Sequence, residues 1–94
     1  MNKHVVYVPA QHADSAASLA INLAGGVTLS PGHKGYWRGA DGKVWADDIT
    51  LATIFEAGVD TRDAITKFLF DCDEQAVAYE TNGVPHLIDA PLES

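Results

Sequence analysis

Between His33 and Trp45 the chain gathers His33, Lys34, Tyr36, Trp37, Arg38, Lys43 and Trp45 around an Ala40-Asp41-Gly42 turn. An arginine can grip a carboxylate through two parallel N–H bonds, and Tyr and Trp supply rigid, amphipathic contact area. Lys34, Tyr36, Trp37, Arg38, Lys43 and Trp45 are therefore candidate partner-binding residues for an acidic protein surface. The same side chains could stack on unpaired bases and meet phosphates, or simply pack a hairpin. A second candidate group is acidic: Asp60, Asp63, Asp71, Asp73 and Glu74. Such charges can steer a chain toward a basic partner, including a nucleic-acid channel whose phosphate ligand they imitate. As helix caps and a solvated helix face they need no partner at all.

Other chemistries find less support. His4, His12, His33 and His86 are far apart and lack metal-ligand spacing, and Cys72 falls on an apolar helical stripe with Phe68 and Leu69. Asp47 and Asp48 are neighbours on an extended segment, so their carboxylates point to opposite faces. Gly25-Gly26, Gly32, Gly35 and Gly39 form neither a P-loop nor a dinucleotide fingerprint. The sequence thus predicts no catalytic residue, no metal ligand and no cofactor. Phe70 lies beside the helical stripe, either at its margin or open to a dimer or partner contact.

Composition narrows the class. The 94 residues suit one domain over 1–94, and 47% hydrophobic with 20% charged residues lies in the globular range. A net charge of -7 argues against general nucleic-acid binding, which needs surplus cations. The charge is uneven: residues 1–47 hold three acids and four Lys/Arg, whereas residues 48–94 hold ten acids and two Lys/Arg. One cysteine excludes an internal disulfide and suits a reducing compartment. With no export signal and no apolar run near the ~20 residues of a membrane span, a cytoplasmic, membrane-free protein is expected.

Elements capable of holding these residues follow in order. Residues 4–8 read as a strand ended by Pro9. From Asp14, Ala16, Leu19, Ala20 and Leu23 recur at helical spacing until Gly25-Gly26, and small Ala13, Ala17 and Ala24 would let that helix lie close to a sheet. Residues 27–30 read as a strand, Pro31-Gly32 as punctuation, 36–38 as renewed extension, and Asp41-Gly42 as a tight turn. Residues 44–46 return, and 49–56 form a longer strand. There Ile49, Leu51, Thr53 and Phe55 take the inner face, with Thr50, Ala52, Ile54 and Glu56 opposite. Asp60 and Asp63 have capping spacing, and Ile65, Phe68, Leu69 and Cys72 make a second helical stripe. Residues 76–81, Asn82-Gly83 and 84–88 read as a hairpin whose Pro85 suits an edge cover rather than the central sheet, and residues 89–94 as a frayed tail. The order predicts an α+β, ferredoxin-like βαββαβ sandwich with both helices on one sheet face and an extra C-terminal hairpin strand.

The runs Gly25-Gly26-Val27-Thr28, Pro31-Gly32-His33-Lys34-Gly35-Tyr36-Trp37-Arg38 and Asp41-Gly42-Lys43-Val44, with Ile49-Thr50, Gln75-Ala76-Val77 and Asn82-Gly83, resemble a pattern in short ferredoxin-like bacterial and phage hypothetical proteins. In size and acidity the chain is also similar to small phage inhibitors of host defence of the anti-CRISPR type. The resemblance implies the architecture and carries no catalytic assignment. The expected function is a non-enzymatic protein-binding module of phage or mobile-element type, an inhibitor acting by steric and electrostatic occlusion. A small-ligand or enzymatic module using the open sheet face with Tyr36, Arg38, Glu56 or His86 is the alternative. Either a monomer or a homodimer through a sheet edge fits.

Overall fold

Alternate residues of strand β1 (Asn2–Pro9) are buried on one side: His4, Val6 and Val8 point inward, while Val5 and Tyr7 on the other side are half covered. This is the central strand of a five-stranded antiparallel sheet in a computed structural model that describes residues 1–91. A 3₁₀ turn at Ala10–His12 leads into helix α1 (Ala13–Ala24), followed by β2 (Thr28–Arg38), β3 (Val44–Glu56), helix α2 (Asp60–Asp71), β4 (Ala76–Thr81) and β5 (Val84–Asp89). The strands lie in the order β2-β3-β1-β4-β5. The protein is therefore an α+β fold of two helices on an antiparallel sheet.

Both helices cover the same face. Ala16 and Ala20 of α1 and Ile65 and Leu69 of α2 form one buried cluster with Val6, Val8, Ala52, Ile54, Val77 and Tyr79 of the sheet. The buried side of α1 is Ala13, Ala16 and Ala20, with Leu19 partly buried, and Leu23 of the expected stripe is exposed. Alanines bring the helix axis close to the strands, and that closeness decides what β3 can place beneath it. Thr50, Ala52 and Ile54 face the helices, while Phe55 is 53% exposed on the other side. The expected inner face of β3 is thus inverted. Gly25 closes α1 in the left-handed region at φ 86°, its N–H bonding the Ile21 carbonyl at 3.1 Å.

Two further expectations need correction. Residues 28–38 are one strand, because Pro31 and Gly32 form a bulge rather than a break: Ser30 pairs with Leu51 and His33 with Ile49, so two residues oppose one. The tight β2–β3 turn falls where Asp41-Gly42 put it, as a three-residue loop, Ala40-Asp41-Gly42, closed by the Gly39 N–H to the Lys43 carbonyl at 2.8 Å. Residues 84–89 do not merely cover an edge. They pair with β4 over its full length, from Ala76↔Asp89 to Thr81↔Val84, across an Asn82-Gly83 turn with both φ positive. Pro85 is accommodated because β5 is the edge strand. Of the expected frayed tail 89–94, Asp89 closes β5 and Ala90 donates to the Gln75 carbonyl at 2.9 Å; residues 92–94 lie outside the described residues.

Where β1, β3, α2 and β4 meet, a polar corner is built into the core. The His4 side chain is fully buried, its Nε2 2.9 Å from the Gly58 carbonyl and 3.3 Å from Glu56 Oε2. Both of these are acceptors, so Nε2 carries a proton. Nδ1 lies 2.8 Å from Thr81 Oγ1, and that oxygen accepts from Arg62 Nη1 at 3.1 Å. The Arg62 guanidinium sits 4.6 Å above the Tyr79 ring, and His86 stacks on that ring at 5.1 Å.

Candidate functional site

An antiparallel hairpin that outruns its sheet must present both of its faces to something other than a neighbouring strand. β1 pairs with β3 only as far as Pro9↔Ile49, whereas β2 and β3 continue together to Arg38↔Val44. Residues 34–48 are thus a two-stranded arm. The bulge at Pro31-Gly32 lies at its root, where it bends the strand and adds twist.

Alternation then divides the aromatic-basic cluster. Trp37 lies directly opposite Trp45, and Gly35 opposite Asp47, on the face turned toward the helix-free side of the sheet. Lys34, Tyr36 and Arg38 begin on the other face, paired with Asp48, Ala46 and Val44. Lys34 makes an ion pair with Asp48, and that hydrogen-bonded carboxylate holds the ammonium above its ordinary value. Tyr36 is exposed, and Lys43 lies beside the turn, its backbone N–H bound to Asp41 Oδ1 at 3.0 Å. The two indoles rest over glycines. A Cβ on Gly35 would lie 3.1 Å from Trp37 Nε1, and one on Gly39 3.2 Å from Trp45 Nε1. Trp37 settles over a glycine of its own strand, and Trp45 over the glycine that follows β2 across the hairpin.

Between arm and sheet lies a cavity of about 750 Å³. Trp37, Trp45 and Arg38 of the arm, Tyr7 of β1, Leu69 of α2, and Leu87 and Asp89 of β5 all line it, with Asp73 and Glu74 at its end. Ile49, on the helix-free face, is only 5% exposed, and the Gly35–Trp37 stretch packs beside it. Trp37 and Trp45 remain 39% and 60% exposed. The Tyr7 hydroxyl donates to Glu80 Oε2 at 2.9 Å; that hydrogen bond, with burial and the nearby negative charge, pushes the phenol up and keeps it protonated.

The acidic group is also divided. Asp63 is paired with Arg62 and Asp71 with Lys67, both on α2, while Asp60 is exposed in the first turn of the helix. Asp63, Asp71, Asp73 and Glu74 line a second hollow of about 670 Å³ beside Phe70. Asp73 and Glu74 belong to both hollows. Phe70 is half-buried against the core, and Cys72, at the C-terminal end of α2, is half-buried rather than part of the inner stripe.

Asp60 and Asp63 do not cap α2 with their side chains. Glu56, at the end of β3, accepts from the backbone N–H groups of Thr61 at 3.0 Å and Arg62 at 3.2 Å. Burial pushes the Glu56 carboxyl up, but those two N–H bonds, the Thr61 hydroxyl and the His4 ring outweigh it and hold the group below its ordinary value. Glu56 therefore faces the helices and His86 stacks on Tyr79, which removes both from the helix-free face where the ligand-module alternative placed them. Sequence reasoning missed Tyr7, Leu87 and Asp89 as cavity residues. Asp47 had a signal, since it stands two residues after Trp45 and so shares its face. Among the described residues, no three His, Cys, Asp or Glu side chains converge as metal ligands, and no helix is long and apolar enough to cross a membrane. Comparison of the chain with protein-family models, with curated proteins and with solved structures finds no match.

Proposed function

We propose that the chain is a small, non-enzymatic protein-binding module that engages its partner with the β2–β3 arm and the helix-free sheet face. The observation that carries this reading is the cross-strand pair Trp37 and Trp45, held partly exposed on a hairpin that extends beyond β1. Large aromatic rings fixed on rigid strands lose little conformational freedom on binding and are the side chains on which interface energy concentrates. Arg38 and Lys43 at the arm's end and Asp73 and Glu74 across the cavity add charge of both signs at the rim, which sets partner choice and approach rate. For the scaffold we favour a ferredoxin-like arrangement with β5 added beside β4, a reading supported by the strand order and by both helices lying on one face. The narrower form of the proposal is a phage or mobile-element inhibitor of bacterial defence, acting by steric and electrostatic occlusion; it draws on the sequence resemblance alone.

The test is capture of a bacterial protein from lysate on the immobilised chain. Wild type is expected to retain a partner, and Trp45→Ala, whose side chain supports little of the fold, to weaken retention by roughly 10- to 100-fold, as truncation of an aromatic interface anchor does. Failure to retain any protein, or retention indifferent to Trp45→Ala and to Trp37→Ala with Arg38→Ala, would remove the proposal. A second reading, a small-ligand module, is favoured by the cavity itself, whose volume lies within the range of ligand pockets. A compound screen by thermal shift separates the two: saturable stabilisation by a small molecule supports the second.

A further inference from the structure

Most of the cavity wall is apolar or aromatic, yet four carboxylates reach it from separate parts of the chain: Asp47 from β3, Asp89 from β5, and Asp73 and Glu74 from the turn after α2. Arg38 is the one cationic side chain among the described residues that line it. Of the exposed acids elsewhere, Asp48, Asp63 and Asp71 are each paired with a lysine or arginine while Asp14, Asp41 and Asp60 are not, and among the described residues none of the four cavity carboxylates is in an ion pair. An aromatic wall attracts cations through the ring faces, and carboxylates at the rim add charge-assisted hydrogen bonds. A planar guanidinium satisfies both at once, stacking flat on an indole and bridging a carboxylate with two N–H groups, which an ammonium does less well.

We propose, resting on the binding-module reading above, that this cavity receives an arginine side chain from a basic segment of the partner protein, stacked against Trp37 and Trp45 and held by Asp47 and Asp89. The commitment to a cationic occupant comes from charge complementarity: four carboxylates outnumber the single guanidinium in the wall, and an acidic or neutral segment would add no counter-charge to them.

Trp37 and Trp45 are the only tryptophans of the chain, so its indole fluorescence reports on this cavity directly. The experiment titrates the full chain with a short acetylated, amidated peptide bearing paired arginines, and with the same peptide bearing citrulline, which keeps the shape and removes the charge. A saturable emission change is expected with the arginine peptide. Binding should be about tenfold or more weaker for the citrulline peptide, and weaker by a similar factor in an Asp47→Asn, Asp89→Asn double variant of unchanged far-UV circular dichroism. Equal binding of arginine and citrulline peptides overturns the proposal, as does arginine binding untouched by the double variant, or no saturable response. A response to single-stranded oligothymidine in place of the arginine peptide overturns it in favour of base stacking. Loss of the peptide result while lysate capture still depends on Trp45 removes only the arginine occupant; loss of both removes the binding module as well.

Discussion

Ile54→Ala is expected to destabilise the protein by about 2–5 kcal/mol, whereas Phe55→Ala beside it should cost less than about 1 kcal/mol. Ile54 is fully buried between β3 and the two helices, in contact with the cluster that contains Ile65 and Leu69. Removing its outer carbons forfeits their transfer from water and leaves a void that close-packed neighbours fill only in part. Phe55 points the other way, at the Lys3 end of the helix-free face, and is more than half exposed. Ordinarily the larger side chain would be the costlier to truncate, so the reversed order is a sharp test of register. Guanidinium denaturation of both variants at neutral pH decides it. Comparable losses, or a greater loss for Phe55→Ala, would mean that β3 shows the helices its other face.

That register was hidden in the sequence for a physical reason. Both alternating sets of β3 are apolar enough to be a core: Ile49, Leu51, Thr53 and Phe55 on one side, Thr50, Ala52 and Ile54 on the other. Hydrophobicity alone favours the first set, whose side chains are bulkier. The second set faces inward because α1 buries alanines, and a helix that approaches so closely leaves room for threonine and alanine but not for leucine and phenylalanine. The bulkier set is not wasted, since Ile49 lies beneath the arm, where a second apolar site forms. Turns and helix ends were legible wherever backbone conformation demands a particular residue, as at Gly25 and Asn82-Gly83. Ile65 and Leu69 were legible from helical spacing.

The candidate site was legible in its aromatic half only. Trp37 and Trp45 stand out by type, and alternation around the Ala40-Asp41-Gly42 turn is enough to put them on one face. The same alternation separates them from Lys34 and Tyr36, while Arg38 at the arm's end still reaches their cavity, so a group contiguous in sequence is divided in space. Asp47 and Asp89 are far apart along the chain, and they line one cavity only because β5 extends the sheet beside β4 and the arm extends it past β1. No local pattern encodes that arrangement. It depends on strand order and on how far the arm outruns β1.

Glu56 provides the other large expected effect. Glu56→Ala should destabilise the protein by about 2–4 kcal/mol at neutral pH, combining the loss of a helix cap with the loss of a charged hydrogen-bond partner. In wild type the carboxylate accepts two of the backbone N–H groups that the first turn of α2 leaves without helical acceptors, and it faces the buried His4 ring. Its negative charge also lies at the positive end of the helix dipole. The variant strips all of these from a corner that also buries the His4 and Thr61 side chains. The effect should depend on pH with a definite sign. Because folding holds the Glu56 carboxyl below its ordinary value, the unfolded chain binds the proton more readily, and the stabilisation is complete above the usual carboxylate range. It is lost as pH falls through the depressed native value. The gap in unfolding free energy between wild type and Glu56→Gln should therefore be widest near neutrality and should narrow steadily under acid, with His4 and Arg62 the other ionisable groups at this corner. Denaturant titrations at a series of pH values measure that gap. A gap that stays constant down to strong acid would show that the carboxylate's charge contributes nothing to seating α2 on the sheet.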